Sequence, residues 1–180
     1  RAHIPAERER PALTPSAVWP TFPGMNDPAA IPERRYALHD SLGYQATLAA
    51  RVFERRLEDG LREAGLTRIG WCILLAVEEE GLTAPSDIAA FIGIGRTVAS
   101  RALRQMEAEG LITRHNGTRD RRTTEVRATA EGMRRLTAAL PAGLENNAHF
   151  NAKLTAAERE ALLRLLSKLR AGEDQPLSSF

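Results

Sequence analysis

The sequence has almost none of the residues from which disulfides and cysteine metal clusters are built. It contains one cysteine, Cys72, so neither an internal disulfide nor a cysteine zinc cluster can form. No apolar run is long enough to cross a bilayer, and aromatic residues make up only 5% of the chain. We therefore expect an ordinary hydrophobic core in a cytoplasmic protein that needs no metal, no cofactor and no membrane partner.

The net charge is also small, +2 over 180 residues, but arginine is concentrated in one stretch. Residues 94–127 hold eight arginines and only four acidic residues. Arginine is the side chain best suited to phosphate and guanine recognition. Taken alone, an arginine-rich stretch more often marks a solvated surface. Whether it indicates a binding site therefore depends on the helices and strands on which the arginines lie.

Composition divides the chain into five segments. Residues 1–32 hold seven of the ten prolines and are expected to form a mobile arm. They are followed by one long helix over 33–65, a central domain over 66–129, C-terminal helices over 130–171 and a disordered tail over 172–180. Because the chain starts with Arg1 and Met25 offers a more ordinary start, we hypothesise that residues 1–24 are vector-derived or an over-extended gene start. Mass spectrometry of the natural protein would contradict this hypothesis by finding the longer form.

The central domain is predicted to begin with three helices, over 67–79, 84–92 and 96–109. Thr83 is placed to cap the second of them and Pro85 stands in its first turn. The tripeptide Gly93-Ile94-Gly95 predicts a tight turn before the third helix. Four apolar residues of that helix recur at helical spacing and should face inward: Ala99, Ala102, Leu103 and Met106.

Two short strands, 111–114 and 124–128, should follow, with a turn signal at Asn116-Gly117 and a basic segment over 118–122. Thr129 can cap the next helix, which Pro141 should kink. Thr155 and Glu158 have the spacing of a capping box before a last, leucine-rich helix. The fold class predicted is mainly α with a small β-hairpin: a winged helix-turn-helix flanked by N- and C-terminal helices.

In a helix-turn-helix, the second helix enters the major groove and presents the residues outside its apolar stripe. Here those residues are Arg96, Thr97, Ser100, Arg101 and Arg104. Arginine can donate to both guanine acceptors, and the hydroxyls can donate to phosphate. Duplex DNA is therefore the predicted partner, and we add Ser86, in the first turn of the preceding helix, to the expected contacts.

Two other classes of function compete with this prediction. An enzyme is disfavoured because no nucleophile elbow, phosphate loop, metal motif or paired catalytic carboxylates occur in the sequence. The alternative is a winged-helix module that docks a protein without binding specific DNA. Steep salt dependence distinguishes the two binding functions, because neutralising phosphates releases counterions.

Several segments resemble the MarR family of transcriptional regulators. Residues 83–89 look like the start of the first helix of the family's motif, and residues 103–112 look like the recognition helix running into the first wing strand. Asp120-Arg121-Arg122 matches the Asp-x-Arg motif in the wing of the family. Leu66-Thr67 resembles the Leu-Thr pair that opens the family's second helix. The resemblance covers about residues 38–169.

The resemblance implies DNA contacts by Thr97, Ser100 and Arg101 on the recognition helix. On the wing it implies contacts by Arg119, Arg121 and Arg122, with Asp120 as an internal partner that stiffens the wing. It also implies a homodimer formed by the N- and C-terminal helices, whose apolar faces are too large for the central domain to cover. Such a dimer would bind a pseudo-palindromic operator with half-sites about one helical turn apart.

The resemblance further implies a repressor relieved by a small, aromatic ligand. His39, Tyr44, Arg51 and Trp71 are candidates to line its pocket, although Tyr44 and Trp71 are more often core or interface residues. Cys72 could sense oxidants, but its apolar neighbours favour a buried structural role. The scattered His39, His115 and His149 have no acidic partners at metal-ligand spacing, so a structural or solvated role is favoured.

Overall fold

The computed structural model describes residues 37–116 and 124–173. Within these ranges it contains six α-helices and one two-stranded antiparallel sheet, which confirms the predicted fold class. The elements are α1 (Leu42–Glu63), α2 (Arg68–Glu78), α3 (Pro85–Ile92), α4 (Arg96–Ala108), β1 (Ile112–Asn116), β2 (Thr124–Ala128), α5 (Ala130–Asn151) and α6 (Ala156–Arg170). The predicted arm over 1–32 and the last seven residues of the predicted tail, 174–180, lie outside the described residues.

The prediction of one helix over 33–65 was wrong at its N-terminal end. A 3-10 turn, Leu38–Asp40, is followed by Ser41 in an extended conformation with φ −74° and ψ 123°, and α1 begins only at Leu42. Serine hydroxyls compete for backbone hydrogen bonds and favour helix starts over helix interiors. Leu38 and Leu42 keep the helical spacing across this break, so periodicity alone could not reveal it.

The core is built around α2, which buries five of its eleven residues. Ile73 and Leu74 of α2 are fully buried together with Leu61 of α1 and Ile88 of α3. The predicted inward stripe of α4 is confirmed, since its members Ala99, Ala102, Leu103 and Met106 are all buried. Burial of this stripe fixes which face of α4 remains in solvent.

Thr129 joins the central domain to α5. As predicted, its side chain caps the helix by accepting a hydrogen bond from the Gly132 N–H at 3.0 Å. Its own hydroxyl donates to the Gly110 carbonyl at 2.6 Å, and its N–H donates to the Leu111 carbonyl at 3.0 Å. The start of α5 is therefore tied to the segment between α4 and β1.

Arg135 makes a second connection, between α5 and the end of α1. Its guanidinium donates to the Gly65 carbonyl at 2.9 Å and to the Glu131 carboxylate at 2.8 Å. Hydrogen bonds from Arg134 and from Arg135 lower the pKa of Glu131 to about 2. The stabilisation that these bonds contribute is present above the carboxyl's ordinary pKa of 4.5 and is lost only as the pH falls from there toward 2.

Helix α6 differs from the other five α-helices in burying no residue. The predicted capping box is present, with the Thr155 side chain and the Glu158 side chain each bonding the other's backbone N–H. Five leucines of α6 are exposed: Leu162, Leu163, Leu165, Leu166 and Leu169. None of the helices in the described part of the chain is both long and apolar enough to cross a membrane.

Candidate nucleic-acid interface

The turn between α3 and α4 has the predicted glycine geometry. Gly93 adopts φ +82°, in the left-handed region, and its N–H bonds back to the last turn of α3. Ile94 is buried, and its N–H donates to the Ala89 carbonyl at 3.0 Å. Gly95 then starts α4 without a side-chain cap. This compact turn fixes the angle at which α4 leaves α3.

One face of α4 carries all five residues predicted to contact DNA. Arg96, Thr97, Ser100, Arg101 and Arg104 are each exposed, opposite the buried stripe. The acidic residues Glu107 and Glu109 stand at the C-terminal end of the helix, away from its first two turns. The first two turns therefore present guanidinium and hydroxyl groups, which suit phosphate and base-edge acceptors.

Arg104 is partly engaged by its own helix. Its Nε–H donates to the Ser100 carbonyl at 3.2 Å, which draws the guanidinium back along α4. Other guanidinium N–H groups of Arg104 remain able to donate, because the side chain has five donors in all. Arg101 is thus the more direct candidate for a bidentate contact to a base.

The start of α3 differs from its prediction. Ala84, with extended dihedrals and no side-chain bond, occupies the N-cap position that was assigned to Thr83. Thr83 instead accepts a hydrogen bond from the Val126 N–H of β2 at 2.8 Å through its carbonyl. Pro85 lies in the first turn, as predicted, but it and not Ala84 is the first helical residue, and its fixed φ favours a helix start without a capping side chain. Ser86 is exposed next to it, where its hydroxyl donates to Asp87 at 3.1 Å.

The wing is formed by β1 and β2. The register pairs Ile112 with Ala128 and Asn116 with Thr124. Asn116 therefore belongs to β1 and not to the turn that the Asn116-Gly117 signal suggested. Residues 117–123 join the strands, and the four residues of the wing-tip prediction fall among them, outside the described residues: Arg119, Asp120, Arg121 and Arg122.

Two of the five arginines that the structure describes in this region are held in ion pairs, Arg114 and Arg127. Arg114 on β1 donates two hydrogen bonds to Glu107 on α4, one of them from Nε at 2.8 Å. Arg127 pairs with Glu125 at 3.2 Å. Sequence reasoning missed the Glu107–Arg114 contact, because it depends on how the chain turns at Gly110. The arginine count alone therefore overstates the number of cations available to DNA.

The candidate pocket residues lie on different elements. His39 is exposed in the 3-10 turn, Tyr44 is half-buried on α1 and Arg51 is exposed on α1. Trp71 of α2 is half-buried with its ring against Gly143 of α5. Its indole Nε1 is buried without a hydrogen-bond partner in the described part of the chain. Such a donor is suited to a ligand or a water molecule.

An open groove of about 670 Å³ lies between α1 and α5, but none of the candidate pocket residues lines it. Its lining carries both signs of charge, with Arg55 and Arg56 as cations and Asp59, Glu63 and Glu145 as carboxylates. His149 and Phe150 add aromatic surfaces.

Cys72 is half-buried on α2. Burial raises the pKa of its thiol, against a smaller opposing effect of the Arg68 charge. A raised pKa keeps the thiol protonated and weakly nucleophilic at neutral pH. This environment favours the structural interpretation of Cys72 over the oxidant-sensing one.

The histidines are not assembled into a metal site within residues 37–116 and 124–173, where no three His, Cys, Asp or Glu side chains are grouped suitably. His149 instead packs edge-on against Phe150, with ring centroids 4.9 Å apart. Desolvation lowers the pKa of His149, and the nearby charges of Arg56 and Lys153 lower it further.

Comparison with known proteins connects this geometry to one family. Residues 64–123, from the end of α1 to the wing, match the family model described as "MarR family". The transcriptional regulator HosA of Escherichia coli O127:H6 is 31% identical over 105 residues, which cover 58% of this chain and 77% of HosA.

Solved structures share the architecture. The Mycobacterium tuberculosis transcriptional regulator MosR, solved in complex with DNA, superposes with a TM-score of 0.61 at 28% identity, over 73% of this chain and 97% of MosR. Bordetella bronchiseptica BpsR, whose DNA binding is regulated by 6-hydroxynicotinic acid, superposes with a TM-score of 0.69 at 20% identity. That match covers 76% of this chain and 97% of BpsR.

Proposed function

Since this chain belongs to the MarR family of transcriptional regulators, we propose that it binds a specific duplex DNA sequence as a homodimer. The observation that carries this proposal is the exposed face of α4, where Arg96, Thr97, Ser100 and Arg101 lie opposite a buried stripe. The relatives MosR and E. coli MarR have been solved in complex with DNA, which supports the same partner here.

In the proposed complex, α4 lies in the major groove. Arg101, on the second turn of the exposed face, donates to the two acceptors of a guanine, while Thr97 and Ser100 contact phosphate or a thymine methyl group. Ser86, at the start of α3, contacts the backbone beside the groove. The wing arginines Arg119, Arg121 and Arg122 reach the adjacent backbone or minor groove, and Asp120 holds one of them in place.

The proposed dimer follows from apolar surface that the chain does not cover by itself. Large hydrophobic side chains are exposed on α1, α5 and α6: Leu42, Val52, Phe53, Leu144, Leu162, Leu163, Leu165, Leu166 and Leu169. Large apolar side chains exposed in this number favour an interface. A twofold dimer places two α4 helices about 34–36 Å apart, which fits a pseudo-palindromic site.

Replacing Arg101 by alanine is expected to reduce sequence discrimination. If Arg101 contacts a guanine with two hydrogen bonds, its loss costs about 1–3 kcal/mol on the specific site and little on random DNA. Replacing Arg121 by alanine should instead weaken binding to all sequences alike, because a phosphate contact carries no base information. Fluorescence anisotropy with a selected site and a scrambled duplex of equal length measures both quantities.

A matched control is Arg164→Ala, which removes one exposed arginine from α6, outside the proposed DNA face and on the side of α6 away from Leu162, Leu166 and Leu169. It should leave both affinities close to those of the wild type. Equal losses on specific and scrambled DNA for both the Arg101 and the Arg121 variant would contradict this division of roles.

We also propose that the regulator is a repressor released by a small aromatic ligand. BpsR responds to 6-hydroxynicotinic acid, and the organohalide-sensing RdhR regulator has been solved with 2,4-dichlorophenol. Here Tyr44 and Trp71 offer aromatic surfaces, the buried Trp71 Nε1 offers a donor, and Arg51 is a candidate to pair with an acidic group. The ligand class is therefore an aromatic acid or phenol.

A panel of hydroxybenzoic and hydroxynicotinic acids is expected to include a compound that weakens binding to the specific site by roughly tenfold or more. Cyclohexanecarboxylate, which has the same charge but no aromatic ring, should have no effect. Trp71→Leu should reduce the response to the active compound, while DNA binding without ligand is kept. A panel in which no aromatic acid or phenol binds the protein or changes its DNA affinity would count against this part of the proposal.

A further inference from the structure

A side-chain bridge joins the recognition helix α4 to the wing. Glu107 lies in the last turn of α4, and Arg114 lies in the middle of β1. Arg114 Nε donates to a Glu107 carboxylate oxygen at 2.8 Å, and Arg114 Nη2 donates to the same oxygen. The hydrogen bonds from Arg114 lower the pKa of Glu107, so the carboxylate is ionised at neutral pH and the bridge is charge-assisted.

Two backbone hydrogen bonds also hold the described part of the wing. The Val126 N–H donates to the Thr83 carbonyl at 2.8 Å, and the Thr129 N–H donates to the Leu111 carbonyl at 3.0 Å. Arg114 pairs in register with Val126 and stands two residues before the end of β1 at Asn116, so its side chain and the Val126 N–H hold the two strands at the same level of the wing. Among the described residues, the Glu107–Arg114 bridge is the side-chain hydrogen bond that ties β1 to α4.

We propose that Glu107 is a positioning residue for DNA binding: by holding Arg114, it keeps the wing at the angle to α4 that lets both engage one duplex. The inference rests on the proposed function, because it assumes that α4 and the wing bind DNA together. Loss of the bridge frees the wing to change its angle while α4 keeps its own geometry. Binding of the wing to phosphate should then weaken, and base recognition by α4 should persist.

The change in DNA affinity that we expect for Glu107 variants is opposite to the change that the loss of a negative charge alone would cause. A carboxylate close to DNA repels phosphate, so its removal would by itself strengthen binding. Glu109 provides the matched comparison, because it lies two residues farther on and its carboxylate accepts a hydrogen bond from Gln105 of the same helix at 2.8 Å. Glu107→Gln and Glu109→Gln remove the same charge from the same end of α4, but only the first removes the bridge to the wing.

The test measures affinity for a specific duplex over a series of salt concentrations, with the thermal unfolding temperature of each variant recorded alongside. Glu107→Gln is expected to bind about fivefold more weakly. The slope of log affinity against log salt should become shallower by about 0.9 for each phosphate that the wing no longer neutralises. Glu109→Gln should bind as tightly as the wild type or more tightly. Arg114→Gln should match Glu107→Gln, and the double variant should be no weaker than either single one.

A swapped pair, Glu107→Arg with Arg114→Glu, keeps the ion pair and is expected to recover the wild-type salt slope. Glu107→Gln binding as tightly as Glu109→Gln would overturn the inference while leaving the proposed function intact. Weaker binding by Arg114→Gln but not by Glu107→Gln would also overturn it, because Arg114 would then act on DNA directly. Absence of specific binding by the wild type would overturn the proposed function itself, and this inference with it.

Discussion

Leu166→Glu is expected to break the proposed dimer into monomers and to weaken binding to the proposed DNA site by at least about 100-fold. Leu166 is 42% exposed on α6, where it forms a ridge with Leu162, Leu165 and Leu169 at helical spacing. A carboxylate at the centre of an apolar interface loses its hydration without gaining a partner. The monomer then binds one half-site alone, without the avidity of two linked modules, which is worth about 10²–10⁴-fold.

Sedimentation equilibrium and DNA binding by the same samples measure this prediction. Ser167→Glu is the matched control, since it adds the same carboxylate to the next, exposed residue of α6, off the leucine ridge. That control should remain dimeric and bind normally. A Leu166→Glu protein that stays dimeric with wild-type DNA affinity would show that the ridge is not the dimer interface.

Gly132→Ala should destabilise the protein by about 3 kcal/mol. A Cβ atom at residue 132 would stand 2.1 Å from the Leu111 carbonyl oxygen and 3.1 Å from its carbon, both backbone atoms that cannot rotate away. The same oxygen accepts the Thr129 N–H at 3.0 Å. The start of α5 must therefore move away from the wing, which strains the junction between the DNA-binding part and the C-terminal helices.

Urea unfolding followed by circular dichroism measures this free energy, and the unfolding temperature should fall by roughly 6–12 °C. Gly43→Ala is the control, since Gly43 is an exposed residue of α1. In a helix alanine is favoured over glycine by up to about 1 kcal/mol, so that variant should be no less stable than the wild type. A Gly132→Ala protein as stable as the wild type would mean that the junction has room to adjust.

Features that depend on interactions between residues close together in the sequence could be predicted. The caps at Thr129 and Thr155 were predicted because a hydroxyl satisfies backbone N–H groups only a few residues ahead. The buried stripe of α4 was predicted because its spacing matches the helical period. Because the residues opposite the buried stripe of α4 face solvent, the residues of the exposed face could also be predicted.

Features set by contacts between distant residues could not be predicted. Thr83 was assigned to a cap because its type suits one, but its carbonyl is used by Val126, 43 positions later in the chain. The Glu107–Arg114 bridge depends on the path of the chain through Gly110. The break at Ser41 was hidden because the apolar spacing continues across it.

The functional assignments divide in the same way. The structure places Arg96, Thr97, Ser100, Arg101 and Arg104 together on one exposed surface. The DNA contacts of Arg119, Arg121 and Arg122 stay predictions, because these residues lie outside the described ranges. The ligand pocket also stays a prediction, since pocket formation between helices depends on tertiary packing that no local pattern encodes.

Selection from randomised duplex DNA, sequenced at two salt concentrations, tests the central claim most directly. A dimeric regulator that reads bases through α4 should enrich a pseudo-palindrome with half-sites about one helical turn apart, and its affinity should fall steeply as salt rises. Weak binding that is blind to sequence would contradict this account and would favour a winged helix that docks a protein partner.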